Sequence, residues 1–243
     1  MKVIAIIQAR MKSIRLPGKV MKKVLGKPLI GYLLERLNFS KKINKIILAT
    51  STDSSNDILC NYVTHQGFEV YRGKETDVLD RFYQAAQLYR SASIVRITGD
   101  CPLVDPQVVD SVISFFKSQP WDYVSNCHPP SYPDGLDTEI FSYQALTKAW
   151  MEAKLLHERE HVTPYMRQAG KFKVGNVVAN SPCPNERWTI DNEEDFILIK
   201  SIIENLYRNN SCFTMDDIIK FKIKNQNIFL VNKHIHRNEG YKI

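Results

Sequence analysis

The sequence predicts an α/β protein built on a mostly parallel sheet that helices cover on both faces. In the first half of the 243-residue chain, short runs of β-branched residues alternate at least four times with amphipathic segments. That order implies right-handed crossovers between parallel strands. Hydrophobic residues form 44% of the chain, which is enough for a sizeable core, and charged residues form 24%, as in ordinary globular proteins.

The first half supplies strands and helices in turn. Apolar β-branched runs predict strands over 3–9, 45–50, 68–73 and 93–100. Apolar residues at helical spacing predict helices over 28–39, 54–67, 76–90 and 105–118. Residues 9–28, between the first strand and the first helix, are rich in charge, Gly and Pro, and they predict a loop.

The second half is more mixed, without internal repeats or low-complexity linkers. Strands are predicted over 122–126, 135–141, 171–179 and 186–191. Helices are predicted over 143–155, 159–169, 192–209 and 215–225, and Pro164 predicts that the second of these is short or kinked. The last eighteen residues carry no reliable pattern. We therefore expect one domain over 1–243, with 122–180 as a small mixed subregion and 210–243 as a C-terminal extension.

The composition argues against secretion and membrane insertion. No apolar run approaches the ~18 residues needed to span a bilayer. The first apolar run, Val3 to Ile7, is too short for the core of a signal peptide. Five scattered cysteines without a C-x-x-C pair predict free thiols, and His234 and His236 predict a surface pair. We expect a cytoplasmic protein with no membrane partner.

The net charge of +7 is concentrated in one segment. Residues 1–45 carry twelve Lys and Arg and one acid, whereas residues 46–199 carry thirteen Lys and Arg and twenty-one acids. This distribution indicates a local anion site, although a solvated basic face would have the same composition. Because the charge is not spread over a wide face with interleaved aromatic residues, we expect no nucleic-acid partner.

The loop after the first predicted strand is the strongest candidate for the anion site. Arg10, Lys12, Arg15 and Lys19 place four cations within ten residues, together with the hydroxyl of Ser13. Arg and Lys side chains at the carboxyl end of a strand suit a polyphosphate. The loop has neither the P-loop pattern nor G-x-G-x-x-G, so neither an ATPase nor a dinucleotide-binding fingerprint is predicted.

Two carboxylates also follow predicted strands. Asp100 ends RITGD and Asp191 ends RWTID. Either acid alone would be interpreted as a helix N-cap. Both of them opposite a basic loop predict a Mg²⁺-nucleotide site, because Mg²⁺ prefers oxygen ligands and phosphates complete its shell. We expect the two strands to be neighbours in the parallel sheet.

Seven segments of the chain form a recognisable set: QARMKSIRLPGK, GKPLIGYLLERL, RGKETDVLDRFYQAA, VRITGDCPLVDP, YPDGLDTEIF, EREHVTPY and RWTIDNEEDF. Together they resemble the sugar nucleotidyltransferases, and in particular the cytidylyltransferases that activate 3-deoxy-manno-octulosonate and sialic-type acids. The resemblance covers roughly residues 1–209 and points to the branch represented by spore coat polysaccharide biosynthesis protein F.

The resemblance implies a Rossmann-like, GT-A-like nucleotidyltransferase fold and CTP as substrate. It also implies Mg²⁺ as cofactor, transfer of CMP to a sugar acid or related hydroxyl with release of pyrophosphate for surface polysaccharide or glycan synthesis, and a homodimer. The subregion 122–180 would then bind the acceptor and form the dimer. Tyr132, Phe141, Trp121 and Tyr123 are candidate interface aromatics, with burial in the domain's own core as the alternative.

Site residues follow from the resemblance position by position. Arg10, Lys19 and Asp100 would be catalytic, and Asp100 and Asp191 would hold the metal. The nucleotide would contact Gln8, Ala9, Arg10, Ser13, Arg15, Lys19, Thr76, Asp77, Arg81 and Asp100. The acceptor would contact Tyr132, Asp134, Asp137, Glu139, Glu160 and His161. One departure lies in the basic loop, where Lys12-Ser13-Ile14 replaces the family's common Gly-Ser-Thr.

Three alternatives remain at this stage. A nucleotidyltransferase using another nucleoside triphosphate would share the fold. A nucleotide-sugar-dependent glycosyltransferase of related architecture would usually show Asp-x-Asp, but the sequence at Asp100 is Gly-Asp-Cys-Pro. An inactive binding member of the fold is the third.

Overall fold

The computed structural model describes residues 2–168 and 170–237. Its strands, in chain order, are β1 Val3–Gln8, β2 Lys23–Val24, β3 Lys27–Pro28, β4 Lys45–Ser51, β5 Glu69–Gly73, β6 Ser93–Thr98, β7 Tyr123–Ser125, β8 Glu139–Ser142 and β9 Val174–Asn176. Its α-helices are α1 Leu29–Asn38, α2 Asp57–His65, α3 Val78–Leu88, α4 Pro106–Ser118, α5 Tyr143–Glu152, α6 Leu156–His161, α7 Glu193–Leu206 and α8 Met215–Lys224.

Seven strands form one sheet in the order β5-β4-β1-β6-β8-β7-β9. Strands β5, β4, β1 and β6 are parallel, whereas β8 is antiparallel to both β6 and β7, and β9 is parallel to β7. Gln8, the last residue of β1, is opposite Ala49 and Thr98. The carboxyl ends of three parallel strands therefore meet at one edge, which is where ligands bind in open α/β sheets.

Alternation along β1 divides the core between the two faces of the sheet. Val3, Ala5 and Ile7 are buried in the cluster that also holds the apolar faces of α1, α2 and α4. Ile4 and Ile6 are buried on the opposite face with the apolar residues of α3 and α5. Since neighbouring strand residues point to opposite faces, a run of five consecutive apolar residues requires this two-sided burial. The predicted α/β class, with helices on both faces, is confirmed.

A third apolar cluster lies beneath the C-terminal part of the chain. The inner faces of α7 and α8 pack there around Trp188, which is fully buried. The acids at the start of α7 suit its N-terminus, because they face the positive end of the helix dipole. The segment beyond α8 contains a 3-10 helix over Gln226–Leu230, for which the sequence offered no pattern.

Several boundaries differ from the prediction. The predicted helix over 159–169 is α6 followed by a separate 3-10 helix over Tyr165–Arg167, so Pro164 does interrupt it. The predicted strand over 135–141 begins only at Glu139, and that over 171–179 is shortened to β9. Within the predicted loop 9–28, β2 and β3 form a small hairpin whose turn residues, Leu25 and Gly26, have φ of 47° and 78°.

The prediction of a strand over 186–191 is wrong. Within this segment a single bridge joins Arg187 to Asp134, and the neighbouring chain is a turn at Gly135. Gly135 has φ of +105°, and a Cβ there would lie 2.5 Å from the carbonyl of Trp188. The close approach of two irregular segments takes the place of a sheet ladder. Asp191 therefore follows no strand, and the expectation that neighbouring strands precede Asp100 and Asp191 is wrong.

In the part of the chain that the structure describes, no helix is both long and apolar enough to cross a membrane. All five cysteines are unpaired, as predicted. His234 and His236 are exposed.

Candidate active site

A cleft of about 750 Å³ opens at the carboxyl ends of β1 and β6. The basic loop forms one end, and residues from β8, α6 and the loops beyond β7 form the other. Fourteen of the predicted site residues line it: Gln8, Ala9, Arg10, Ser13, Arg15, Lys19, Arg81, Asp100, Asp134, Asp137, Glu139, Glu160, His161 and Asp191. The structure thus brings together most residues of the predicted nucleotide, metal and acceptor sites.

Three predicted site residues do not line this cleft. The Tyr132 ring is buried in the core beneath α7. Asp77 accepts the Asp80 amide as the N-cap of α3 and pairs with Arg159 of α6 at 2.6 Å. Thr76, beside it, lies outside the cleft lining as well. These positions favour a structural role for Asp77, which ties two helices together next to the site.

The basic loop is held to the neighbouring strand connection. The Met11 amide donates to Asn56 Oδ1 at 2.8 Å, and the Gly18 amide donates to the Met11 carbonyl at 2.9 Å. Gly18 has φ of 67°, which a glycine adopts without steric cost. Lys12 is not among the non-glycine residues with left-handed backbone, so the loop accommodates Lys where the family commonly has Gly.

The floor of the cleft depends on a close contact between two strand ends. The Gly99 amide donates to the Gln8 carbonyl at 2.8 Å. A Cβ on Gly99 would lie 2.5 Å from the Cβ of Ala9 and 3.1 Å from the Gln8 oxygen. A small residue on each side therefore lets the turn carrying Asp100 approach the basic loop.

Lys19 is clamped between the two predicted metal ligands. Its ammonium group lies 2.8 Å from Asp100 Oδ2, 2.8 Å from Asp191 Oδ1 and 2.8 Å from the carbonyl oxygen of Ile190. The Ile190 amide in turn donates to the Asp100 carbonyl at 2.9 Å. The two acids converge through this contact and not through adjacent strands, which corrects the predicted route but keeps the predicted pairing.

The ionisation states of this cluster follow from burial and pairing. Burial alone would raise the pKa of Asp100, but its contacts with Lys19 hold the pKa at about 2. Burial would lower the pKa of Lys19, and the two carboxylates raise it above its ordinary value. Asp100 is therefore ionised and Lys19 is charged at neutral pH.

Neither acid caps a helix. The N-cap of α4 is Asp105, whose carboxylate accepts from the Gln107 amide, and the N-cap of α7 is Asn192. The alternative interpretation of Asp100 and Asp191 as caps is therefore wrong, and their carboxylates serve the cleft.

Arg10 and Arg15, two further cations of the loop, are themselves more exposed than Lys19. Arg15 pairs with Asp191 at 2.8 Å, and Arg10 lies 3.7 Å from Glu75 with 45% of its side chain exposed. Arg81 is buried and donates to the backbone carbonyls of residues 74 and 75, so it fixes the segment that carries Glu75. Because Arg10 and Arg15 are partly exposed, little desolvation is needed for them to exchange their carboxylate partners for phosphate oxygens.

The other end of the cleft is a network of buried ion pairs. Glu139 on β8 pairs with Arg96 on β6, and it accepts hydrogen bonds from Tyr123 at 2.5 Å and Thr163 at 2.7 Å. Arg96 also donates to Gln8 at 3.0 Å. Burial would raise the pKa of Glu139, but Arg96 and these donors lower it to about 2. Glu139 lines the cleft with both carboxylate oxygens already engaged.

A second network joins the loop before β8 to the C-terminal segment. Arg187 forms a bidentate pair with the fully buried Asp195 at 2.9 Å and also reaches Asp134 at 2.9 Å. Arg237 pairs with Asp137. Burial and the neighbouring Asp137 raise the pKa of Asp134 to about 6 despite its contact with Arg187.

Two further predicted residues, Glu160 and His161, lie on α6 and line the cleft. Burial lowers the pKa of His161. Cys101, next to Asp100, is buried, and its burial raises the pKa of its thiol well above the ordinary value. Cys101 is therefore a packed thiol and not a nucleophile.

The cleft residues that the sequence did not indicate include five basic side chains: Arg96, His128, Arg167, Arg187 and Arg237. One signal was available for Arg96, which is a charged residue inside the otherwise apolar strand SIVRIT. Arg187 stood in a quoted segment. Arg237 falls in the unpatterned C-terminal stretch, where no local pattern could have indicated it.

Cys127, His128 and Glu139 place possible ligand atoms within 4.8 Å of one another. The cluster does not suit a cation, because Arg96 and hydrogen-bond donors occupy Glu139 and burial raises the pKa of Cys127. Among the described residues, Asp100 and Asp191 are the better pair for a hard divalent ion.

Comparisons with known proteins now add to the geometry. The family model described as cytidylyltransferase matches residues 4–234. This chain belongs to the cytidylyltransferase family. It is therefore a CTP-dependent nucleotidyltransferase, and the resemblance seen in the sequence is confirmed.

Three relatives illustrate the match. Spore coat polysaccharide biosynthesis protein SpsF of Bacillus subtilis is 34% identical over 210 residues, covering 83% of this chain and 86% of that protein. A cytidylyltransferase structure from Leptospira borgpetersenii is 34% identical, with a TM-score of 0.90 over 94% of this chain and 97% of that chain. 3-Deoxy-manno-octulosonate cytidylyltransferase 2 of Hydrogenovibrio crunogenus is 35% identical over 126 residues, or 50% of each chain.

Proposed function

We propose that this cytidylyltransferase transfers CMP from CTP to a hydroxyl group of a sugar acid, for the synthesis of a surface polysaccharide. One observation supports this most directly: a single cleft has a loose cluster of cations at one end and a fixed network of charged and hydrogen-bonding groups at the other. The first end suits a triphosphate, and the second suits a polyhydroxylated acid. The names of SpsF and of the octulosonate enzyme point to the same chemistry.

In the proposed reaction, the acceptor oxygen attacks the α-phosphorus of CTP in line and pyrophosphate leaves. Lys19, Arg10 and Arg15 would contact the phosphates and neutralise the charge that develops on their oxygens. The fixed networks around Glu139 and Arg187 would orient the acceptor, because rigid donors and acceptors hold a hydroxyl group in line better than mobile ones. No protein nucleophile is required.

We propose Mg²⁺ as the cofactor, held by Asp100 and Asp191. The structure supports the fit, because two carboxylate oxygens and one carbonyl oxygen already converge on one cationic nitrogen at 2.8 Å. Mg²⁺ takes one or two protein carboxylates and completes its shell with phosphate oxygens and water. When bound, it would supply charge neutralisation at the phosphates. Lys19 would then turn towards the triphosphate.

The test is a screen of CTP, UTP, ATP and GTP against 3-deoxy-manno-octulosonate, N-acetylneuraminate and neutral sugars, following pyrophosphate release with and without Mg²⁺. We expect release only with CTP, a sugar acid and a divalent ion. Equal turnover of UTP would refute the choice of base, and turnover of neutral sugars alone would refute the acceptor class.

We further propose a homodimer, through the part of the predicted subregion 122–180 that stays exposed and the adjacent Trp121. Tyr123, Phe141 and Tyr132 are buried in the chain's own core, so they support no interface. The edge strand β9 remains, with Val174 exposed and with Phe115 stacked on Trp121 beside it. Exposed apolar edges of this kind pair with other chains. Light scattering at micromolar concentration tests the dimer, and a monomeric mass would refute it.

A cytoplasmic location and the lack of a nucleic-acid partner remain predictions from the sequence. Fractionation of cells that produce the protein would test the first. A filter-binding assay with single-stranded and double-stranded nucleic acid at physiological salt would test the second.

A further inference from the structure

Arg167 differs from the other arginines of the cleft in its partners. Within the described residues, the only hydrogen-bond partner of its guanidinium is the ring of His128, with Nη1 lying 3.0 Å from Nδ1 and 2.5 Å from Nε2. It forms no ion pair with any described carboxylate. The other cleft arginines contact carboxylates or backbone carbonyls: Arg10, Arg15, Arg81, Arg96, Arg187 and Arg237.

The charge of Arg167 is not balanced by its surroundings. Burial and the adjacent Arg167 lower the pKa of His128 to about 4, so that ring is neutral at pH 7. The nearest carboxylate to the ring, that of Glu139 at 3.9 Å from Nε2, is engaged by Arg96, Tyr123 and Thr163. A partly buried guanidinium beside a neutral imidazole leaves a site of net positive charge that an anion would complete.

The backbone that positions Arg167 is strained. Val162, which ends α6, is buried and has φ of 71°, a conformation that β-branched residues rarely adopt. After this turn, the Thr163 hydroxyl donates a hydrogen bond to Glu139. The 3-10 helix Tyr165–Arg167 follows, and its last residue, Arg167, lines the cleft. Strain of this kind persists where the surrounding structure over-determines it, and it concentrates at binding and catalytic sites.

A series of side-chain contacts separates Arg167 from the end of β1, where the basic loop begins. Gln8, at the end of β1, accepts a hydrogen bond from Arg96, which pairs with Glu139. The His128 ring lies 3.9 Å from Glu139, and Arg167 contacts the ring. The phosphates of CTP have their own cations at the opposite end, so the anion at Arg167 belongs to the second substrate.

We propose that Arg167 and His128 form the pocket that binds the carboxylate of the acceptor. This inference rests on the proposed function, in which the acceptor is a sugar acid. The guanidinium would donate to the carboxylate as a planar fork, and a ring N–H of His128 would add one donor. Arg167 is then the residue by which the enzyme selects an acid over a neutral sugar.

The first test compares an acid with its ester. Pyrophosphate release is measured with CTP and either 3-deoxy-manno-octulosonate or its methyl ester, for the wild type, Arg167→Gln and Arg167→Lys. We expect Arg167→Gln to raise KM for the acid by about 10- to 100-fold, the range for losing a charged hydrogen bond. The preference for acid over ester should largely disappear, while KM for CTP stays within about twofold. Arg167→Lys should recover part of the preference.

The matched control is Arg208→Gln, which removes an exposed arginine outside the cleft lining and should leave both preferences unchanged. Thermal unfolding of every variant separates loss of binding from loss of fold. If Arg167→Gln keeps the preference for acid over ester, or if it raises KM for CTP or weakens pyrophosphate inhibition, then the anion at Arg167 is not the acceptor carboxylate and the inference is overturned.

A direct binding measurement separates this inference from the proposed function. Ring signals of His128, assigned with a His128→Asn variant, are followed by NMR while 3-deoxy-manno-octulosonate is added to the wild type and to Arg167→Gln. The groups that face this ring are Arg167, Glu139, Arg96 and Arg237. We expect the acid to shift the wild-type signal and raise the pKa of His128, and to leave Arg167→Gln unaffected.

The combined outcomes are distinct. A shift that depends on Arg167, without turnover of any sugar acid, would support the carboxylate pocket and refute the proposed acceptor of the reaction. Turnover of the acid together with an unchanged His128 signal would support the proposed function and overturn the pocket. Absence of both would overturn both.

Discussion

The two ends of the cleft hold their charges in different ways. At the proposed nucleotide end, which is the end formed by the basic loop, Arg10 and Arg15 pair with partly exposed carboxylates. At the proposed acceptor end, Glu139 and Asp195 pair with arginines, and 4% and none of their side chains are exposed. The same residue types are therefore loosely held at one end and fixed at the other.

The difference suits the substrate that we propose for each end. A triphosphate carries several charges, so cations on an adaptable loop bind it without exact placement, since electrostatic attraction depends only weakly on direction. A sugar is recognised through many hydroxyl groups, and this requires donors and acceptors whose positions are fixed before it binds. Lys19 combines the two arrangements, because it lies on the loop but its ammonium group is held in place by Asp100 and Asp191.

The largest effect is expected where the two ends meet. Asp100→Asn and Asp191→Asn should each reduce turnover by about 100-fold or more, because each removes an oxygen ligand and charge from the proposed metal site. The double variant should add little, since residues that act as one unit are strongly non-additive. Turnover across a Mg²⁺ titration measures this. Normal rates and metal dependence in both single variants would remove the metal site.

The second effect concerns stability at the acceptor end. Glu139→Gln should lower the free energy of unfolding by about 3–5 kcal/mol, because it leaves the buried Arg96 without its counter-charge. Glu69→Gln is the matched control, since it breaks an exposed pair with Lys45 and should cost less than about 1 kcal/mol. Urea denaturation measures both. Equal losses of unfolding free energy in the two variants would mean that the buried pair contributes no more to stability than the exposed one.

The third prediction compares how much two cations of the basic loop contribute to turnover. Lys19→Ala should cost about 2–4 kcal/mol of transition-state stabilisation, and Arg10→Ala should cost less because it is half exposed. Although Lys19 lies on a loop, its side chain is only 12% exposed, so Lys19→Ala should also lower Tm.

Steady-state kinetics and thermal unfolding separate the two consequences for Lys19. Lys22→Ala, which breaks an exposed pair with Glu193 outside the cleft lining, is the control and should behave as the wild type. Wild-type kinetics in Lys19→Ala would contradict a catalytic role for Lys19 and favour the interpretation of the basic loop as a charged surface without catalytic function.

The smallest effect is a pH dependence at Asp134. Because the native pKa is raised from about 3.8 to about 6, the native protein holds a proton that the unfolded chain releases. Its stabilising contribution is therefore complete below about pH 4 and falls as the pH rises through 6, by about 1–2 kcal/mol. Asp134→Asn should flatten this part of the stability profile. Urea denaturation at pH 4.5, 6 and 7.5 measures it, and identical profiles would contradict the assignment.

Local patterns were sufficient for the first half of the fold and for the nucleotide end. A β-branched run predicts a strand, and helical spacing predicts a helix, because both signals lie within a few residues of each other. The order of those elements then placed Arg10, Lys19 and Asp100 at one edge of a parallel sheet. Thr76, Asp77 and Tyr132 came from the resemblance alone, and the structure places all three outside the cleft lining.

Tertiary structure decided the acceptor end, because its partners are distant in sequence. Arg96 meets Glu139 across 43 residues, and Lys19 meets Asp191 across 172. Such pairs depend on which distant segments pack together in the fold, and the local spacing of apolar residues gives no information about that. The sequence by itself thus determined the alternating α/β architecture and the basic loop. Only the folded chain determined that residues 186–191 form no strand, that Arg237 returns to the cleft, and that Arg167 faces a neutral histidine.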